Sequence, residues 1–258
     1  MTLVLLEQAE GVATLTLNRP GMGNALVPEL LDALLARLAQ VGDDEGVRAV
    51  VLRANGPVFS LGGDMRRFHR AYAGDIAGYA AELVGKLNRA ILGLIDLPQP
   101  VVAAVHGTVT GGSLGLVLAS DIVFVAAQAS FKAHYATAGF SPDGGWATLL
   151  PRLAGARAAA ACLLLNRSFS AQEALDWGMA SAVAPAELLA QQAAEAARRI
   201  ARYPAGTMRN AKRLLWRDRD DIAAALEAER RGFVELIASA RGGVERFLAN
   251  FRDYPEGE

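Results

Sequence analysis

The stretch Val101-Val102-Ala103-Ala104-Val105-His106-Gly107-Thr108-Val109-Thr110-Gly111-Gly112-Ser113-Leu114-Gly115 passes from an aliphatic run, through a glycine-rich turn, into a second apolar run at 114–119. The first five residues read as a buried strand and the last as the start of a helix. Glycines in such a turn let a ligand approach the bare backbone. Amides at a helix N-terminus point outward with partial positive charge, which suits a developing oxyanion. On either side, β-branched or aliphatic runs at 12–17, 47–52 and 122–125 repeat the strand signal. Between the first two, Pro28 opens a segment with Leu30, Leu31, Leu34, Leu35 and Leu38 at helical spacing, and proline is at home in a first helical turn. Strands alternating with helices predict an α/β fold.

A second glycine site, Phe59-Ser60-Leu61-Gly62-Gly63-Asp64, follows the strand that ends near Arg53. From about Ala156 onward strands fade. Ser170 to Glu173 reads as a capping box and Gly178 as a helix stop after Trp177. Alanine-rich helices are expected at 185–200, 204–216 and 221–250. No linker rich in proline, glycine and serine divides the chain, which predicts a core over 1–195 continuing into a helical region over 196–258.

Composition narrows the function. The net charge is −1 with both signs interspersed, so no basic surface points to nucleic acid. One cysteine, Cys162, excludes an internal disulfide and reads as inert filling of an apolar helix. No thiolate cluster or other metal-ligand set is present in the sequence. The N-terminus lacks a basic leader, and the apolar stretch 101–127 is broken by His106, glycines and Asp121, so neither a signal peptide nor a membrane span is predicted. A cytoplasmic location is the expectation.

Gly111-Gly112-Ser113-Leu114-Gly115 matches the G-x-S-x-G nucleophile elbow, but His134 is the only later histidine, too close to Ser113 for the intervening hydrolase elements. A dinucleotide fingerprint fails on glycine spacing and on the missing acidic residue.

Taken in order, several motifs together resemble the crotonase (enoyl-CoA hydratase/isomerase) superfamily. They are Asn18-Arg19-Pro20 with Asn24-Ala25-Leu26, Val47 to Leu52, Phe59 to Asp64, Ala103-Ala104-Val105-His106-Gly107 with its glycine turn, and Ser120-Asp121. The likeness continues through Pro142-Asp143-Gly144-Gly145, Leu150-Pro151-Arg152, Ala171-Gln172-Glu173-Ala174, Trp177-Gly178, Gly243-Val244 and Phe247-Leu248. The resemblance implies a spiral of ββα units with a C-terminal helical trimerisation region, an acyl-CoA thioester substrate, no separate cofactor, and a homotrimer or hexamer. By position it makes Leu61 and Gly112 the oxyanion-hole amides, with Gly62, Gly63, Asp64 and Gly111 around the substrate.

Hydratases of the family use two glutamates, one three residues after the second oxyanion glycine and one in the next strand-to-helix segment. This chain has Gly115 and Tyr135 there. Asp143 is the remaining carboxylate, and in isomerase branches an aspartate in a Pro-Asp-x-Gly context is the base. One carboxylate suffices to shift a double bond, which favours isomerisation over hydration or a non-catalytic acyl-CoA-binding role. Asp143 also fits a helix cap.

Tyr135 is read as a hydrogen-bonding or pocket-lining aromatic, His106 as a histidine bonded to backbone, and Asp64 as support for its own turn. Arg66 and Arg67 are candidates for CoA phosphates or a solvated face. Phe247 and Arg252 are candidates for the nucleotide site. The segment 65–78 is expected to be a loop that shapes the acyl end.

Overall fold

Val101–Val105 (β4) is buried at every position, as a strand covered on both faces must be. It lies in a six-stranded sheet with Val4–Ala9 (β1), Val12–Leu17 (β2), Ala49–Ala54 (β3), Ile122–Ala126 (β6) and Ala182–Ala184 (β9), in the order β1-β2-β3-β4-β6-β9. Only β1 and β2 pair antiparallel; the remaining neighbours are parallel. The computed structural model describes residues 2–250. Arg252 lies outside them.

One face of the sheet meets Ala186–Ala201 (α9), whose Leu189, Ala193 and Ala197 repeat every four residues and rest on Val51, Val102 and Ala104. The other face carries Pro28–Gly42 (α1) and Ile76–Asp96 (α3) in the main core. Leu30, Leu31, Leu34 and Leu38 are buried there, so the leucine spacing read from the sequence is the core stripe of α1. A smaller sheet joins Thr108–Thr110 (β5), Ser130–Lys132 (β7) and Phe169–Ser170 (β8).

The α/β expectation holds, with local corrections. The strand expected at 47–52 begins at Ala49, because the Val47 N–H closes a turn onto the Asp44 carbonyl at 3.1 Å. Strand β1 and helix α3 had no counterpart in the sequence reading. Met65–Ala71 (α2) is a helix where a loop was expected, capped by the Asp64 carboxylate on the Arg66 and Arg67 amides. The capping box at Ser170 is present, and Gly178 has φ +80 after Trp177.

The helix expected at 221–250 is two, Arg219–Ile237 (α11) and Arg241–Asn250 (α12), separated by a tight turn. Tyr72 Oη donates to the Ile237 carbonyl at 2.6 Å, satisfying a group that the interrupted helix leaves open. The division drawn between 195 and 196 falls inside the continuous helix α9. Ala205–Leu215 (α10) is tied to the sheet by Lys212, whose Nζ lies 3.0 Å from Asp121 Oδ2 and 2.7 Å from the Leu94 carbonyl. Among the described residues no helix is long and apolar enough to cross a membrane.

Candidate active site

The two glycine segments lie side by side because β5 pairs with the first of them. Thr110 N–H donates to the Ser60 carbonyl at 3.0 Å and Ser60 N–H to the Thr108 carbonyl at 3.3 Å. Gly62, at φ +74, sits so close to β5 that a β-carbon would come within 2.6 Å of the Thr110 carbonyl oxygen. Beside this junction lies an apolar cavity continuous with solvent. Leu61, Gly63, Gly112, Tyr135, Asp143 and Phe247 all border it.

Which way an amide points follows from its peptide plane. In a trans peptide the N–H points opposite to its carbonyl. The Gly62 carbonyl accepts from Leu26 N–H at 2.7 Å, so the Gly63 N–H points away from Leu26. The Gly111 carbonyl accepts from Trp146 Nε1 at 2.7 Å and from the Leu114 amide, which aims the Gly112 N–H the other way.

Leu61 is different. Its N–H donates to the Gly23 carbonyl at 3.0 Å, so the expectation of an oxyanion donor at Leu61 is corrected: its contribution to the cavity is apolar. Gly63, two residues on, presents its backbone at the wall.

Asp143 is buried against Gly112. A methyl group placed on Gly112 would lie 2.9 Å from Asp143 Oδ2. Tyr135, opening the short helix Tyr135–Ala138 (α5), donates its hydroxyl to Asp143 Oδ1 at 2.6 Å and lies 2.9 Å from the Asp143 carbonyl. Burial pushes the Asp143 carboxyl up to about 7; the Tyr135 hydrogen bond opposes that rise and the Glu229 charge adds to it. Burial, followed by the charge of Asp143, holds the Tyr135 phenol well above its ordinary value, so it remains a donor.

The alternative role for Asp143, capping the next turn, belongs to another residue. Glu229 of α11 accepts from Gly145 N–H at 2.8 Å, Ala147 N–H at 3.0 Å and Thr148 Oγ1 at 2.8 Å. Sequence reading missed it, although a signal exists: Glu229 falls on the buried stripe Ile222, Leu226, Phe233, Ile237, where a carboxylate needs a reason.

Gly115 has no room for a side chain. A β-carbon there would stand 2.4 Å from both the Gly144 carbonyl oxygen and Ile91 Cδ1.

Other expected residues sit apart from the cavity. Asp64 is buried and pairs with Arg19 at 2.9 Å while capping α2, so the place beside the substrate implied by the resemblance is corrected to support of the turn. Gly62 is likewise pressed on β5, and neither Arg66 nor Arg67 borders the cavity. Arg67 pairs with Glu29 at 3.3 Å. His106 Nε2 lies 2.8 Å from the Gly56 carbonyl, in the structural role expected.

His134, given no role by the sequence, borders the cavity with φ +63 and meets Phe247 edge-on at 5.5 Å. Burial, then the charge of Lys132, lowers its pKa to about 4, leaving it neutral at physiological pH. Phe68, Phe140 and Phe233 form one wall, with ring centroids 5.1 to 5.8 Å apart. Among the described residues no group of three histidine, cysteine, aspartate or glutamate side chains is placed to hold a metal ion.

The family model described as "Enoyl-CoA hydratase/isomerase" matches residues 7–253. The chain belongs to this crotonase family. It is 33% identical over 252 residues to the 1,2-epoxyphenylacetyl-CoA isomerase of Escherichia coli, covering 96% of each chain. It is 37% identical over 253 residues to a protein of Mycobacterium bovis named a probable enoyl-CoA hydratase, covering 93% of this chain and 87% of that one. The enoyl-CoA hydratase structure from Bacillus halodurans superposes with a TM-score of 0.89 at 22% identity, covering 95% of this chain and 99% of that one, a likeness of fold. The protein is an acyl-CoA-processing enzyme of the crotonase family.

Proposed function

We propose that this enzyme shifts a double bond in an acyl-CoA through a thioester enolate. The Gly63 and Gly112 amides hold the thioester oxygen, and Asp143 moves the proton. Asp143 takes a proton from the carbon beside the carbonyl. The electron pair passes to oxygen, where two aimed donors stabilise it, and the same carboxyl returns the proton at the γ-carbon. The step is redox-neutral and calls for no cofactor.

The observation that carries isomerisation over hydration is the state of the two hydratase positions. Gly115 is filled by the Gly144 carbonyl, and Tyr135 is bound to Asp143. One carboxylate therefore serves the site, which matches a proton that leaves and returns without water. The name of the relative from Escherichia coli is consistent with isomerase chemistry, and the ring wall favours short or ring-bearing acyl groups. Incubation with 3-enoyl-CoA substrates, phenyl-bearing and straight-chain, is expected to yield conjugated 2-enoyl products with growing absorbance. Loss of the conjugated absorbance of a 2-enoyl-CoA, through water addition, would establish the hydratase instead.

A base whose carboxyl titrates near 7 makes kcat/KM rise with pH through about 7. Replacing Tyr135 by phenylalanine removes a hydrogen bond that favours the ionised form, so the acid limb should move to higher pH. A limb that stays in place or moves down in a pH–rate profile would contradict the pairing.

Assembly into a homotrimer or hexamer is also proposed. Leu164 and Leu165 are 80% and 78% exposed and Leu214 and Leu215 56% and 77%, and bare leucines in adjacent pairs fit a contact with further copies. Sedimentation should show a species larger than a monomer.

A further inference from the structure

We infer that Glu229 is a positioning residue that keeps the Asp143 carboxylate available to substrate by taking over the cap of the turn that follows it. The inference rests on the reading of Asp143 as the base.

An aspartate two residues ahead of exposed turn amides ordinarily bonds to them itself, closing an Asx-type turn. Here the amides of Gly145 and Ala147, together with the Thr148 hydroxyl, point to Glu229, which approaches from α11, 84 residues along the chain in the case of Gly145. Asp143 Oδ1 is held by Tyr135 and the carboxylate lies against Gly112 instead of folding back. The same turn carries Trp146, whose indole N–H pins the Gly111 carbonyl and so aims the Gly112 amide. Glu229 thus holds one short segment that serves both the base and an oxyanion donor.

Two ionisable groups act on Asp143: Tyr135 from α5 and Glu229 from α11. Leu87 of α3 and the 111–113 turn bring no charge to this wall. Removing the Glu229 charge withdraws a repulsion, and freeing the Gly145 N–H offers Asp143 a new donor; both changes favour the ionised carboxyl.

The test is Glu229→Gln, close in shape but unable to accept from all three donors. The expected result is a kcat lower by about 100-fold, the scale of a displaced catalytic group, with unchanged acyl-CoA affinity by direct titration. The acid limb of kcat should move to lower pH, a readout that simple loss of folded protein would not shift. Wild-type kcat with an unmoved limb overturns the inference. Should this variant not fold, Glu229→Asp carries the same test through reduced kcat at unchanged affinity, and wild-type kcat there overturns it. Asp143→Asn run in parallel separates the two readings. Activity in that variant refutes the base itself, whereas its inactivity beside a normal Glu229→Gln refutes only the positioning role.

Discussion

Asp143→Asn is expected to lower kcat for double-bond migration by about 10²- to 10⁴-fold, the range a positioned general base contributes, while acyl-CoA binding persists. Asparagine preserves shape and can still accept from Tyr135, so the cavity should stay formed. The proton transfer alone is lost. The same variant carries a second, opposite effect. Asp143 binds its proton more tightly in the folded chain than at its ordinary value of 3.8, since burial raises its pKa to about 7. The folded state therefore loses stability as pH rises across that interval. A shift of this size corresponds to on the order of 4 kcal/mol as an upper bound. The asparagine variant should be the more stable protein at pH 8 and lose that advantage toward pH 4, as read by denaturant unfolding at several pH values. Turnover like wild type would remove Asp143 from the mechanism, and a stability difference independent of pH would contradict its buried ionisation.

Gly144→Ala should be nearly as damaging, for a steric reason. Gly144 has φ +64, and a β-carbon there would lie 2.4 Å from the Gly112 carbonyl oxygen and 2.5 Å from Gly112 Cα. All the obstructing atoms are backbone, so no side chain can swing aside. The left-handed conformation adds about 1–2 kcal/mol of strain for a residue with a side chain. Relief must come from parting the two turns, which carries the Gly112 amide away from the thioester oxygen and Asp143 away from Gly112. Loss of one oxyanion donor lowers kcat by about 10²- to 10³-fold. Thermal unfolding measured beside kcat separates the strain from the misplacement. If turnover survives with only a lowered Tm, the close contact of the turns is structural and the Gly112 amide does not depend on it.

Both variants act on residues that the sequence singles out, and the difference between them shows where sequence reading stops. Asp143 is visible because the Gly115 and Tyr135 positions hold no carboxylate, so the resemblance leaves one acid in the right region. The role of Gly144 depends on its approach to Gly112, 32 positions earlier, and no local pattern encodes that distance. Glu229 lies between these cases. Its place on an apolar helix stripe is legible, but its three donors come from another part of the chain.

By itself the sequence determined the α/β class, the strands around β4, the leucine stripe of α1, the capping box at Ser170 and the crotonase resemblance, because periodicity, caps and turn glycines act over a few residues. It also placed Gly112 and Asp143 among the candidates. Only the tertiary structure decided that the Leu61 amide is taken by another carbonyl, since the direction of an N–H depends on which distant segment the flanking carbonyls and amides meet. Gly23 takes the Leu61 amide and Leu26 the Gly62 carbonyl, which is why the proposed donor is Gly63 and not Leu61. Likewise it decided that Glu229, and not Asp143, caps the 145–148 turn, because a buried donor bonds to the acceptor that folding brings to it, whatever the separation in sequence.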